Sequence, residues 1–446
     1  MSESGQRAAS AVRRLARMDA RRDAEGSPAK HAVYHGWRVV AVAFVVALFG
    51  WGLGFYGPGI YLVALNARHG WSTAAISSAI TVYYVLGAAL TFFTGSIFER
   101  IGVRRVVMTG AVAMAAGVVL LAVVTQSWQV YAAFAVMAVG WAAMSGAAIN
   151  IIVAPWFDRR RGLAVSLALN GASAGGVIFA PLLIALIDHF GFHAALSGGA
   201  GLMLVIVLPA VALVLRPKRA GECDHPDRGP PPAQVASAKA GAAAPVLQLS
   251  AVLRSRNFHT IAIPFALGLA AQVGFLTHQV AYLAPIVGVV AAGWAVSLTT
   301  FTAVAARLVT GLFVDHVDRR LVACGNFCVQ VVGMGLLISN ASVATLYMGC
   351  ALFGLGVGNM ITLPALIVQQ EFPKDSFARI VSWVIAISQF TFAFGPALLG
   401  YLQRLHGSYT AALFSCLAMQ AAAALVVVAP VLGRIGRGRS GDAVGK

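Results

Sequence analysis

Twelve runs of about twenty mostly apolar residues constrain this chain more than anything else in it, because a helix of that length crosses the hydrocarbon core of a bilayer. They fall near 37–63, 73–97, 105–125, 128–155, 162–187 and 194–215, then near 259–284, 291–314, 321–340, 342–369, 378–402 and 409–432. Lipid offers the backbone no hydrogen-bond partner, so each run has to satisfy its own amides as a helix. A chain that is 59% hydrophobic and 11% charged, with a mean hydropathy of +0.82, lies far outside the soluble globular range. The expected fold is an all-α membrane protein with twelve transmembrane helices in two pseudo-symmetric six-helix bundles. The expected units are an N-terminal tail (1–36), a first bundle (37–215), a linker (216–256), a second bundle (257–433) and a C-terminal tail (434–446).

A net charge of +17 over 446 residues raises the question of nucleic acid, and the placement of the charge excludes it. Arg7, Arg13, Arg14, Arg17, Arg21, Arg22 and Lys30 crowd the N-terminal tail. Further basic groups flank the ends of even-numbered helices, among them Arg159, Arg160, Arg161, Arg319, Arg320, Lys374 and Arg379, with only Arg68 and Arg404 on the other side. That is the positive-inside bias, and it predicts a multi-pass protein of a cell membrane, of bacterial inner-membrane type, with both termini cytoplasmic. The tail has no apolar core for a cleavable signal; it reads either as disordered or as a basic surface helix. The linker, with its GECDHPDRGPPPAQ stretch, is too polar and proline-rich to bury a core. Neither segment is long enough for a signalling domain, which argues against a membrane sensor.

The two halves repeat one piece of punctuation. After the second helix comes Gly95-Ser-Ile-Phe-Glu99-Arg100-Ile-Gly102-Val-Arg104-Arg105, and after the eighth comes Gly311-Leu-Phe-Val-Asp315-His-Val-Asp318-Arg319-Arg320. Glycine lets a neighbouring helix come close, the acid sits at the membrane edge facing arginines or a helix N-terminus, and the basic pair anchors at headgroups. Such a cluster latches two helices on the cytoplasmic side. It resembles the Gly-x3-Asp-x2-Gly-Arg-Lys loop of the major facilitator superfamily, with Glu99 for the first aspartate, Asp318 for the second glycine, and a second copy one residue shorter. The resemblance spans nearly the whole chain and implies a secondary transporter that works by alternating access.

One residue escapes the repeat. Arg307 lies in WAVSLTTFTAVAARLVTGLFV (294–314), and the matching position of the first half is Thr91. A cation at that depth costs about 3 kcal/mol on insertion scales. The nearest acid along the helix, Asp315, is about 12 Å away, and no Asp or Glu lies inside the twelve runs. Two readings remain: a cavity that draws in a small anion, or a guanidinium that caps backbone carbonyls or reaches to the cytoplasmic face. Within the superfamily the position is similar to the helix 8 arginine of the monocarboxylate porters and oxalate–formate exchangers, and His35-Gly36-Trp37-Arg38 resembles the start of helix 1 in bacterial members. The resemblance implies a small organic monocarboxylate as substrate, carried with a proton. The porters' aspartate one turn earlier is Ala303 here, and the exchangers' helix 11 lysine is absent, which speaks against a dianion.

His278, in helix 7, is the candidate proton carrier or outer gate. Gln389 and Asn359 lead the remaining substrate contacts, being in the same half as Arg307 and at similar depth; Tyr83, Asn170 and Tyr56 follow. Each is equally able to satisfy a neighbouring backbone group. No nucleophile–base set, nucleotide loop or metal cluster appears in the loops, and Cys324 and Cys328 lack His or acidic partners. We therefore expect no enzyme, cofactor, metal or nucleic-acid partner; the partners are a small anionic substrate, protons and membrane lipids, around a monomer. The alternative is an exporter or permease for another solute, by drug efflux or dicarboxylate exchange.

Overall fold

The computed structural model describes residues 34–157, 160–216, 254–314, 316–373 and 377–442. The basic tail up to Lys30, Arg159, the linker from 217 to 253, Asp315 and Lys374 lie outside the described residues. The helices are α1 (His35–His69), α2 (Thr73–Ile101), α3 (Val103–Val123), α4 (Ser127–Trp156), α5 (Arg161–Phe190) and α6 (Phe192–Val214). The second half has α7 (Arg256–Val287), α8 (Val289–Phe313), α9 (Arg319–Ser339) and α10, in two pieces, Val343–Val357 and Leu363–Glu371. It ends with α11, Phe377–Ala393 and Gly395–His406, and α12 (Thr410–Asp442). Among the described residues eleven spans are long and apolar enough to cross a membrane, and the first piece of α10 is a shorter apolar helix.

The two bundles share one packing plan. In the first, α1 packs on α5, α2 on α4, and α3 on α4 and α6; in the second, α7 packs on α11, α8 on α10, and α9 on α10 and α12. Across the bundles, α1 meets α7, α2 meets α11 and α5 meets α8, which is again a symmetric set. Small residues make the closest approaches: a Cβ on Gly171 would sit 2.1 Å from Phe44 O, and one on Gly175 2.5 Å from Leu48 O. The small residues of α5 thus serve as a packing seam against α1.

Several helices outrun their apolar segments, α1 through Arg68 and His69 for example. Hydrophobicity marks hydrocarbon depth, and a helix is free to continue into the headgroup layer. The larger departure is α10, expected as one span and found broken over 358–362. Gly356, Gly358 and Pro364 weaken helix continuity there. Gly358 also lies so close to α8 that a Cβ would fall 1.9 Å from Ala303 O, which leaves no room for another residue.

The bundles touch at the end remote from the termini. Gly59 faces Thr277 O, Gly293 faces Pro181, and Gly400 faces Ser77. At the terminus-bearing end, Glu99, Arg100, Arg104 and Arg105 are exposed. The expectation that Gly95 and Gly311 admit a close neighbour is not met: a Cβ on either meets nothing within 4 Å, because the helices stand apart at this end. The two loop copies also differ in detail. Gly102 has φ +90, a conformation that favours glycine. The shorter copy uses Asp318 instead as the N-cap of α9, its side chain accepting from Arg320 N at 2.8 Å.

Candidate functional site

Near the middle of α1 the helix widens into a π-turn over Gly52–Tyr56, which leaves carbonyls without their usual partners. Three tyrosines supply replacements. Tyr61 Oη donates to Leu53 O at 3.2 Å, Tyr83 Oη to Gly54 O at 2.9 Å, and Tyr84 Oη to Phe55 O at 3.4 Å. All three rings are buried. Tyr83, a candidate substrate contact equally able to satisfy backbone, is engaged with backbone here. Tyr61 is not singled out by the sequence, because nothing there marks the π-turn that needs its hydroxyl.

The turn ends on Tyr56, which points at the other bundle. A Cβ on Gly176 of α5 would lie 2.6 Å from the Tyr56 ring and 2.7 Å from Thr300 Cγ2 of α8, so α1, α5 and α8 converge there. Ser297, Thr300 and Arg307 follow one face of α8 at helical spacing. The first donates to Val177 O of α5 at 2.7 Å, and Tyr56 and Arg307 are near enough to interact electrostatically. Arg307 is half-buried, and its Nε donates to Gly358 O in the break of α10 at 2.9 Å. Its terminal nitrogens hold no hydrogen bond or ion pair among the described residues. The guanidinium therefore caps one carbonyl and still presents donors to the space between the bundles.

Asn359 follows Gly358 in sequence but turns to the other side of α8. Its Nδ2 donates to Thr310 Oγ1 at 2.9 Å and to Asn326 Oδ1 at 3.2 Å, while Asn326 Nδ2 donates to Gly356 O at 3.0 Å. This amide pair ties the α10 turn to α8 and α9. Gln389 and Asn170 are half-buried and make no hydrogen bond among the described residues.

His278 is buried at the far end, where the bundles meet. Its Nε2 lies 2.9 Å from Pro396 O and 3.1 Å from Ser77 Oγ, and Nδ1 lies 3.0 Å from Tyr409 Oη. A carbonyl only accepts, so Nε2 carries a proton, and in the neutral ring Nδ1 accepts from the tyrosine. One neutral imidazole thus joins α7, α2, α11 and α12. Ala397 N donates to Thr81 Oγ1 alongside at 3.1 Å, so this closure is built from neutral bonds.

Arg320 requires a correction. Expected at the headgroups, it is buried and ion-paired through Nε to Glu371 Oε1, with Nη2 on Glu371 Oε2 at 2.7 Å. Nη1 donates to Thr260 O at 3.2 Å and Val427 O at 3.0 Å, and Nη2 to Thr260 Oγ1 at 3.1 Å. It locks α7, α9, α10 and α12 together inside the second bundle. Arg319 beside it donates to Leu366 O at 2.5 Å. Among the described residues no group of three or more His, Cys, Asp or Glu side chains is placed to hold a metal.

The sequence pattern of the Major Facilitator Superfamily matches residues 41–290 and 280–442. The chain is 28% identical to monocarboxylate transporter 11 of Homo sapiens over 399 residues, 84% of this chain and 79% of that one. It is 26% identical to MFS-type transporter 1 of Ophiocordyceps sp. (strain BCC 1869), over 78% of this chain and 74% of the relative. Among solved structures, nucleoside transporter NupG superposes with a TM-score of 0.70 at 13% identity, covering 89% of this chain and 98% of that one. A bacterial homologue of the lysosomal transporter Spinster, in an inward-facing state, superposes with a TM-score of 0.60 at 13% identity, over 90% and 95% of the two chains. At such identities these two structures speak for the fold alone.

Proposed function

We propose, for a chain that belongs to the Major Facilitator Superfamily, that the cargo is a small organic monocarboxylate and that Arg307 is the group that holds it. The observation that carries this reading is the half-satisfied guanidinium. Arg307 stands on the face of α8 turned to the other bundle, with one nitrogen on Gly358 O and the others unengaged among the described residues. A planar fork of donors suits a carboxylate, and a permanent cation without a counter-ion favours an anion that comes and goes. Tyr56 and Thr300 stand on the same approach, and Gln389 and Asn170 have amides free to contribute. The likeness to a monocarboxylate transporter supports this class of cargo.

Transport proceeds by rocking of the two bundles about this site. The state described here is open at the terminus-bearing end, the cytoplasmic one by the placement of charge. His278 closes the opposite end through Ser77 and Pro396, and its protonation is the step we assign to proton symport. A second proton on the ring would oblige Tyr409 to stop donating to Nδ1, which loosens the joint between α7 and α12.

Reconstitution in liposomes with labelled lactate, pyruvate and related monocarboxylates tests both parts. Arg307→Gln should reduce uptake at least about 100-fold, since a charged hydrogen-bond pair is lost from a low-dielectric site; uptake at the wild-type rate removes the anion site. Uptake indifferent to an imposed pH gradient removes the proton step and leaves the cargo reading standing.

A further inference from the structure

We propose that the crevice between α8 and α9 is a binding site for one acyl chain of a membrane phospholipid. The two helices are consecutive but diverge: α8 leans on α5, α7 and α10, whereas α9 packs on α10 and α12. Between them lies a cavity of about 520 Å³, lined by Ala306, Val309, Leu321, Gly325 and Val329, with Asn359 at its floor. That volume is within the range of ordinary ligand sites.

Its position identifies the surrounding solvent. Ser297, Thr300 and Arg307 occupy the face of α8 that meets the other bundle, and Ala305, Ala306 and Val309 fall on the opposite side. The crevice therefore opens outward, where Val309, Leu312 and Leu321 are exposed on helices that span the membrane. Hydrocarbon, not water, bathes that flank.

Its chemistry identifies the occupant. The polar side chains along the floor are turned on one another, Asn359 donating to Thr310 and Asn326, and Asn326 to Gly356 O. An anion or a sugar would find little beyond the Thr310 hydroxyl and the unpartnered Asn359 Oδ1 to replace its water. Water itself needs two to four polar partners to stay. An alkyl chain meets a lining that is mostly carbon and gains dispersion contacts that an empty cavity forfeits. Once seated, it packs against the Gly356–Asn359 turn from outside while Arg307 holds Gly358 O from inside. The site thus backs the substrate arginine without touching the transport path, and it stands whether or not the cargo is a carboxylate.

Gly325 supplies the test, because a Cβ there meets nothing within 4 Å. Gly325→Phe fills the crevice from α9, and Val309→Trp fills it from α8. Gly335→Phe is the control: its Cβ also meets nothing within 4 Å, and it lies off the lining. The full chain is placed in phosphatidylglycerol nanodiscs doped with the same lipid carrying a mid-chain diazirine, irradiated and mapped by peptide mass spectrometry. Adducts should concentrate on residues 305–310 and 321–329. They should fall severalfold in both filling variants and hold at the wild-type level in Gly335→Phe. Labelling spread evenly over the outward-facing helices, or labelling of 305–329 that survives both fillings, overturns the proposal.

Discussion

Both bundles interrupt a helix at mid-depth, and they cover the exposed carbonyls with different chemistry. In the first, the π-turn of α1 is closed by three tyrosine hydroxyls, all neutral. In the second, the break in α10 takes an amide from Asn326 and a guanidinium from Arg307. A related division recurs where each bundle pins its first helix to its last, with aromatic contacts in one and a buried ion pair in the other. The first bundle does so with His35 Nε2 on Val214 O at 3.0 Å, Tyr34 on Trp156 O, and Arg216 over the Trp156 ring at 5.5 Å. The second uses the buried pair Arg320–Glu371, with Thr260 and Val427. The packing plan was kept between the bundles and the chemistry was not. Within the charged bundle the two arginines also differ: Arg320 is ion-paired and bonded on all sides, whereas Arg307 is left with nitrogens to spare. Arg320, at the start of α9, serves the packing of its own bundle, and the spare donors of Arg307 are what the proposed anion site rests on.

The largest effect should come from breaking the charged clamp. Glu371→Ala leaves Arg320 buried without its counter-ion, a loss of about 3–5 kcal/mol in comparable buried pairs. We expect a sharp fall in the thermal unfolding midpoint of the detergent-purified protein. Replacing both partners at once, Arg320→Met with Glu371→Leu, should recover most of it, because the desolvation penalty leaves with the pair. If the single variant unfolds like wild type, the two clamps are equivalent and the contrast between the bundles falls.

The spans were legible because lipid demands continuous apolar helices, and that demand is written residue by residue. Arg307 was legible for the same reason, as a charge where none is tolerated cheaply. Arg320 was not. In sequence it resembles Arg105, its counterpart in the repeat, and only Glu371, 51 residues on, sets it apart. The matching acid was hard to see because Glu371 lies just past the end of the apolar run, where a carboxylate looks solvated. The turn in α10 had its signals in Gly356, Gly358 and Pro364, but transmembrane helices tolerate such residues often enough to hide a break. For Tyr83 both readings stay open in sequence, because a mid-depth hydroxyl looks the same whether it faces cargo or a carbonyl.

A smaller effect should follow at the neutral helix interruption. Tyr83→Phe keeps the ring among its buried neighbours and removes only the bond to Gly54 O. An unpaired buried carbonyl costs about 1–3 kcal/mol, less than the clamp, because no charge is stranded. The same variant separates structure from transport. Reduced thermal stability with unchanged apparent affinity for cargo fits a capping hydroxyl; weakened affinity at full stability would return Tyr83 to the substrate path.

The smallest effect belongs to the aromatic clamp. His35→Ala removes the bond to Val214 O and a ring 5.0 Å from that of Trp156. His35 is only half-buried, so water can take over the carbonyl at the end of α6. The net worth of such a bond is about 1 kcal/mol, several times less than the Glu371 change on the same unfolding assay. The two variants probe the clamps of the two bundles, His35 tying the first helix to the sixth and Glu371 the fourth helix to the third, so their difference compares one clamp with the other. Equal losses would mean that charge does not set the worth of a clamp. A near-silent His35→Ala beside a crippled Glu371→Ala would mean that the second bundle depends on its ion pair in a way the first bundle, with its aromatic junction, does not.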